Sequence, residues 1–324
     1  MPKISIIIPT YNRARYVCEA VDSVFAQTYK DYEIIIIDDG STDNTRETLK
    51  KYGDRIQYIY QKNMGPPAAM NTGVRRAKGE YYVILGDDDA LMPDMLERQV
   101  EVMDRNPDVA FVCGGVHFMD GSGQIYKTSR DGRHREKTFK SLLFDNFVWH
   151  LTAVVRRKVS EEMGHFDENL ATTHDHDLWI RMAIKYRFEY TDAPLAKFRR
   201  HPGNYSKGLN LHLKDHLAIL DKPAVRGQLT RQEWVKFRAV NYYRFGMFYA
   251  RMGEYLKAGS NYWQSVLNYP TIGAYFWTYE TERLHFSLPY RFLKPYIAPI
   301  FYFVKFILQK LRLLKPVVQT DNLV

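Results

Sequence analysis

The chain of 324 residues is 45% hydrophobic and 26% charged, enough apolar material for one large domain with an accessory one and too much for a disordered chain. Its formal net charge of +9 points to an anionic partner (nucleic acid, a phosphorylated small molecule or a lipid surface), and charge alone does not choose among them. Two cysteines, Cys18 and Cys113, fit a reducing compartment better than a disulfide framework; the opening "MPKISIIIPTYN" lacks the long apolar core of a signal peptide, and no run of about 20 apolar residues marks a membrane span.

In chain order, strand and helix signals alternate up to about residue 120. "ISIIIP" (4–9) is a short apolar run, and "RARYVCEAVDSVFAQ" follows with Val17, Val21 and Val24 on one helical face. "EIIIIDDGS" (33–41) repeats the pattern, leading into "STDNTRETLKKYG" with polar capping residues at its start and Gly53 at its end. "RIQYIYQ" (55–61), a helical "PPAAMNTGVRRAKG" (66–79), "EYYVILGDDD" (80–89) and "MPDMLERQVEVMDRNP" (92–107) continue the series. Uninterrupted apolar strands are buried on both faces, so the expected core is a parallel sheet covered by helices, an α/β fold.

The ends of these strands carry the chemistry. Ligands of open α/β sheets bind beyond the carboxyl ends of the strands, where "PTYNR", "DDGSTD" and "GDDD" all fall. For "DDGSTD" alone, helix capping explains the residues equally well. The run Asp87, Asp88 and Asp89 is different. Three adjacent carboxylates repel one another, and a hard cation, Mg²⁺ or Mn²⁺, would neutralise them while keeping coordination positions for water and substrate phosphate. That chemistry suits a nucleotide diphosphate.

Together, "ISIIIPTYNRARYVCEAVDSVFAQTYKDYEIIIIDDGSTDNT", "GDDDALMPDML", "GHFDENL", "HDHDLWIRM" and "PLAKFRRHPGNYS", in this order from residue 4 to about 206, resemble the family 2 glycosyltransferases of GT-A fold. The resemblance implies a nucleotide-diphospho-sugar donor, a divalent metal and transfer with inversion at the sugar carbon. It carries Pro9, Thr10, Tyr11 and Arg13 onto the loop bordering the nucleotide, and Asp39 onto the carboxylate that accepts a hydrogen bond from the base. Within the DxD-type motif, Asp88 matches the metal ligand, with Asp87 or Asp89 as its helper; Asp87 is assigned to the donor and Asp89 to the metal. Asp175 matches the general base. Three positions depart from the family pattern: Gly86 where an Asp often stands, His174 in place of the Glu before the base, and Met70 where many members carry Arg.

The residues also support a base at Asp175 on their own. Inverting transfer needs a carboxylate opposite the leaving group, and Asp175 precedes a helical stretch with Leu178, Trp179 and Met182, so a helix start favours its ionised form. A helix cap is the competing reading. His174 and His176 lack a third ligand at zinc spacing. Arg199 and Arg200 suit a pyrophosphate, and the imidazole of His201 suits the metal shell; a solvated basic turn before Pro202 is the alternative.

From about residue 211 the pattern becomes helical, rich in Tyr, Phe and Arg. "NYYRFGMFYARMGEYLKAGSNYWQSVLNYP" has the spacing of a single helical hairpin. The segment 286–315 carries basic residues and no acidic one, a composition resembling an interfacial helix in anionic headgroups; packing on the helical bundle or on a second subunit is the alternative. The expected organisation is a GT-A catalytic domain over 1–210, a helical accessory region over 211–285 and a membrane-surface tail over 286–324. The expected function is inverting, metal-dependent sugar transfer, with a UDP-sugar favoured, to a hydroxyl of a saccharide or lipid-linked saccharide of a cell-surface polysaccharide. The partners are that donor, that acceptor and an anionic membrane surface, with no nucleic acid, in a cytoplasmic protein peripheral at the inner face of the membrane. A dinucleotide oxidoreductase would need G-x-G-x-x-G after the first strand, where "PTYNRAR" stands. A receiver domain would leave the second acidic cluster unexplained. A degenerate nucleotide-sugar-binding or scaffold protein remains the alternative outside enzymes.

Overall fold

The computed structural model describes residues 1–130, 136–201, 203, 209–270 and 288–310. The chain forms two compact units, Met1–Tyr205 and Ser206–Val324.

The first unit opens with the expected alternation. Strand β1 (Ile4–Thr10), helix α1 (Val17–Phe25), β2 (Tyr32–Asp38), α2 (Thr45–Leu49), β3 (Gln57–Tyr60), α3 (Pro66–Arg76), β4 (Tyr81–Ile84), the two-residue β5 (Ala90–Leu91) and α4 (Met95–Arg105) follow one another. Ile6, Ile8, Ile34, Ile36 and Val83 share one core with Val17, Val21 and Val24 of α1. Burying each such side chain contributes about 1.5–3 kcal/mol relative to exposure. Helix α3 lies so close to β1 that a Cβ at Gly73 would stand 2.2 Å from Ile7 Cγ2, which is why a helix-weakening glycine sits mid-helix.

Beyond α4 come two long strands, β6 (Val109–Met119), paired with β7 (Ile125–Ser129), and later β9 (Arg187–Arg199). Between them lie α5 (Phe139–Phe144), β8 (Val154–Arg156), α6 (Arg157–Met163) and α7 (His174–Lys185). The sheet runs β3-β2-β1-β4-β8-β6-β9-β5. β3, β2, β1 and β4 pair in parallel, β8 runs antiparallel to both β4 and β6, and β9 is parallel to β6. This is the expected α/β architecture: a mixed sheet with one parallel half, β3-β2-β1-β4, and flanking helices. Its consequence for function is that β9 delivers Arg199 and His201 beside the end of β4.

The second unit is helical: α8 (Leu209–Asp221), α9 (Pro223–Arg226), α10 (Arg231–Arg251), α11 (Tyr255–Asn268) and α12 (Leu288–Lys310). Thr230 and Glu233 close a capping box at the start of α10. The expected hairpin is α10–α11, turned at Gly253 with φ of 76°. Small residues let aromatic rings approach: Tyr262 packs over Gly246 and stacks on Tyr302 of α12 at 5.6 Å, and Tyr302 also stacks on Tyr255 at 5.9 Å. The basic segment thus packs one face on α11. Its other side exposes Ile297, Ile300, Phe301, Phe303, Val304 and Ile307. Among the described residues no helix is long and apolar enough to cross a membrane. Arg312 and Lys315 lie outside the described residues, as do Pro202 and Asn204–Ser206 of the basic loop.

Candidate active site

Two loops at the carboxyl ends of β1 and β2 are sewn together by short polar side chains. Asn12 adopts φ of 54°, a conformation Asn tolerates better than most residues. There its Oδ1 accepts from the amides of Thr42 and Asp43 at 2.8 and 3.2 Å, while its own amide donates to Ser41 Oγ at 2.9 Å. Arg13 N donates to Thr45 Oγ1 at 3.0 Å. Pro9 and Thr10 end β1, with Thr10 buried, and Tyr11 projects, 46% exposed. Asp39 is buried and accepts from Gln61 Nε2 at 2.7 Å, Met64 N at 3.0 Å and Gly65 N at 2.8 Å. Those bonds occupy three of the roughly four lone-pair positions of a carboxylate and fix the entry to α3.

The acidic run follows β4. Gly86 O accepts from Asp89 N at 3.2 Å, and a Cβ at Gly86 would lie 2.6 Å from Asp89 Oδ2. Glycine at this departure from the family pattern therefore makes room for the Asp89 carboxylate. Asp87 accepts from Tyr11 N at 3.3 Å and lies 3.7 Å from Arg13 Nε, whose Nη2 donates to Gly203 O at 2.8 Å. Asp88 Oδ2 stands 2.9 Å from His201 Nε2. Asp89 is buried, with Oδ1 accepting the Arg199 amide at 2.8 Å. Burial, and then the charge of Asp88, push Asp87 up to about 7 and Asp89 well above the usual carboxylate range.

The donor set fits a hard divalent cation held by few protein ligands. Neighbouring ligands of an octahedral cation at about 2.1 Å stand about 3 Å apart, the separation of Asp88 Oδ2 and His201 Nε2. Among the described residues no three His, Cys, Asp or Glu side chains converge on one point, so water and substrate phosphate would fill the remaining positions. The structure thus brings Asp88 and His201 together, while Asp89 turns toward Gly86 and the Arg199 amide.

The two arginines have different surroundings. The Arg199 side chain is 2% exposed, and its Nε donates to Asp88 O at 2.7 Å. Arg200 stacks on Phe198 and Phe118 at 5.0 and 5.6 Å, and burial lowers its pKa from the ordinary guanidinium value.

Asp175 is the second residue of α7 and partly exposed. Its neighbours pin the helix. Asp177 pairs with Arg181 at 2.8 Å, and Arg181 donates to Met163 O and to His165 O at 2.6 Å. His176 Nε2 lies 2.8 Å from Leu142 O, and buried His174 packs edge-on against Phe166 at 6.1 Å. Asn71 of α3 donates to Phe166 O at 2.9 Å and Glu168 at 2.8 Å and accepts from Phe166 N, holding the loop before α7. Met70, beside it, is a buried core residue.

Three participants carry no sequence signal. Burial lowers the pKa of His150 below the ordinary imidazole value, and the charges of Asp175 and Asp88 work the other way. Tyr16 and Glu19, at the start of α1, contact Arg199. Each is a lone residue in an ordinary segment, joined to the site only by tertiary pairing.

The geometry can be set beside known proteins. A model of glycosyl transferase family 2 matches residues 5–164. An uncharacterised glycosyltransferase of Rickettsia typhi is 35% identical over 242 residues, covering 73% of this chain and 76% of that protein. The chain belongs to the family 2 glycosyltransferases. Solved structures agree on the fold of this family member: residues 1–349 of S. aureus TarS in complex with UDP-GlcNAc superpose with a TM-score of 0.65 at 16% identity, covering 96% of this chain and 92% of that one. A mannosyltransferase of Pyrobaculum calidifontis in complex with GDP-Man and Mn²⁺ does so with 0.57 at 20% identity, covering 98% and 82%.

Proposed function

We propose that this family 2 glycosyltransferase transfers a sugar, with inversion, from a nucleotide-diphospho-sugar to a hydroxyl of a saccharide or lipid-linked saccharide, with Mg²⁺ or Mn²⁺ bound. The observation that carries the reading is the Asp88–His201 pair, 2.9 Å apart at the end of β4 and β9. UDP-GlcNAc in one structural neighbour and GDP-Man with Mn²⁺ in another support the donor class; a UDP-sugar is favoured.

In this reading Asp88 and His201 hold the cation, with Asp89 supporting the turn. The cation, when bound, offsets the charge that develops on the departing diphosphate. Pro9, Thr10, Tyr11, Arg13 and Asp87 border the nucleotide, Asp39 offers its remaining lone pair to the base, and Arg200 faces the diphosphate. Asp175 takes the proton of the acceptor hydroxyl as its oxygen bonds to the anomeric carbon and the bond from that carbon to the diphosphate oxygen breaks. Nucleoside diphosphate release, screened over UDP-, dTDP- and GDP-sugars with and without EDTA, tests the reading. Metal-dependent release with one donor supports it. Binding without turnover would favour a scaffold.

The 1–210 catalytic domain is followed, in the same reading, by a helical region and a tail that meet an anionic membrane surface at the inner face of the cell membrane. Six basic residues and no acidic one in 286–315 support this, as do exposed Ile300, Phe303 and Ile307 on α12 and Leu256, Trp263 and Leu267 on α11. The full chain should sediment with anionic vesicles, partly release in high salt, and lose binding in an Ile300→Ser/Phe303→Ser variant. Equal sedimentation of that variant would remove the membrane reading and leave the enzymatic one intact.

A further inference from the structure

The Arg199 guanidinium is spent on the protein. Nε donates to Asp88 O at 2.7 Å, Nη1 donates to Asp120 O at 3.2 Å, and Nη2 lies 2.5 Å from Glu19 Oε2. The same residue's amide donates to Asp89 Oδ1 at 2.8 Å. One arginine therefore grips the backbone of Asp88 and the side chain of Asp89 at once. The Tyr16 ring lies 5.0 Å from this guanidinium and 5.0 Å from the His201 imidazole. The start of α1 thus touches the supports of both Asp88 and His201.

We propose that Glu19 is a positioning residue for the cation site, acting through Arg199 with Tyr16 as a spacer. The inference rests on the metal reading above and assigns Arg199 to holding the acidic turn. A guanidinium this deeply buried needs a carboxylate partner. Glu19 supplies it from outside the acidic run, drawing the charge of Arg199 away from Asp87 to Asp89. Without Glu19, Arg199 turns its charge on those carboxylates and competes with the cation for them. Outer partners of this kind typically change metal affinity by about 10- to 100-fold. Glu19 itself is half exposed, with 49% of its side chain accessible, so replacing it leaves no cavity.

Calorimetric titration of Mn²⁺, alone and with UDP, into the full chain tests this with Glu19→Gln and Glu19→Asp, beside metal-free melting curves. The expected result is a loss of Mn²⁺ affinity of about tenfold or more in Glu19→Gln, partial recovery in Glu19→Asp, a metal-free melting temperature near wild type, and kcat restored by saturating Mn²⁺. Mn²⁺ affinity in Glu19→Gln equal to that of wild type would overturn the proposal. So would a loss that follows metal-free stability alone. Wild type that binds no Mn²⁺ would overturn the metal reading with it, an outcome distinct from wild type and variant binding alike.

Discussion

The two ends of strand β4 both gather carboxylates, and they treat them in opposite ways. At its amino end, Lys3 lies 2.8 Å from both Glu80 and Asp104, Arg156 lies 3.1 Å from Glu80, and Tyr81 donates to Asp104 at 2.7 Å. The Lys3 hydrogen bond holds Glu80 below its ordinary pKa. Burial works to raise Asp104, and hydrogen bonds from Lys3 and Tyr81 outweigh it. At the carboxyl end, Asp87 lies 3.7 Å from Arg13, Asp88 lies 2.9 Å from His201, Asp89 accepts the Arg199 amide, and burial drives Asp87 and Asp89 upward. One end pairs its carboxylates with cations of the protein; the other crowds three carboxylates together, so that burial and mutual repulsion raise two of them. Strongly raised carboxylates of this kind gather at functional sites, and the proposed cation site lies at this end.

The largest expected effect is on chemistry. Asp175→Asn keeps the shape and hydrogen-bonding capacity of the side chain but removes the base, so turnover should fall by about 10²- to 10⁴-fold while donor affinity holds. Single-turnover kinetics beside donor titration checks this; a collapse of donor binding with unchanged turnover of bound donor would make Asp175 a binding residue.

A smaller effect is expected at the turn. Gly86→Ala puts a methyl group 2.6 Å from Asp89 Oδ2, so the carboxylate must move off the Arg199 amide. Activity should drop by about tenfold, with a stability loss of about 1 kcal/mol, the value of one hydrogen bond. Denaturant melts and initial rates on the same sample give both numbers.

The smallest effect belongs to the balanced end. Lys3→Met should leave activity unchanged and cost up to about 1 kcal/mol, since exposed ion pairs contribute little. Glu80 and Asp104 are both lowered in the folded state, so their stabilisation is present above the ordinary carboxylate range near pH 4 and fades as pH falls through their folded values. Melting temperatures of wild type and Lys3→Met should therefore converge on acidification. An activity loss in Lys3→Met would blur the division between the two ends.

The sequence exposes the parallel half of this sheet well, because "ISIIIP" and "EIIIID" are buried on both faces and their helices carry apolar stripes. Strands β6 and β9 are harder to read. "VAFVCGGVHFM" is broken by Gly114 and Gly115, where the β6–β9 register shifts and a Cβ on either would lie 2.4 Å from Leu195 or from Ser129 O. The parallel partner of β6, β9, joins residues as far apart as Val109 and Arg187, so no local pattern announces it. The site divides along the same line. Asp87 to Asp89 follow an apolar strand and are visible as a cluster, whereas His150, Tyr16 and Glu19 reach the site only through pairings made late in the chain. The enclosed position of Arg199 is likewise invisible in "FRRHPG", which reads as a basic turn until β9 is placed beside β6.

The proposed function rests on the carboxylates after β4 holding a cation. Thermal melts of wild type and Asp88→Asn, each metal-free and with Mn²⁺ and UDP, test it most directly. Ligand at about 100 times its Kd stabilises a folded protein by about 2.7 kcal/mol. Wild type should therefore melt several degrees higher with Mn²⁺ and UDP. Asp88→Asn, relieved of repulsion, should melt at or above metal-free wild type and gain nothing from Mn²⁺. Wild type unmoved by Mn²⁺, or Asp88→Asn stabilised as much as wild type, would contradict the account.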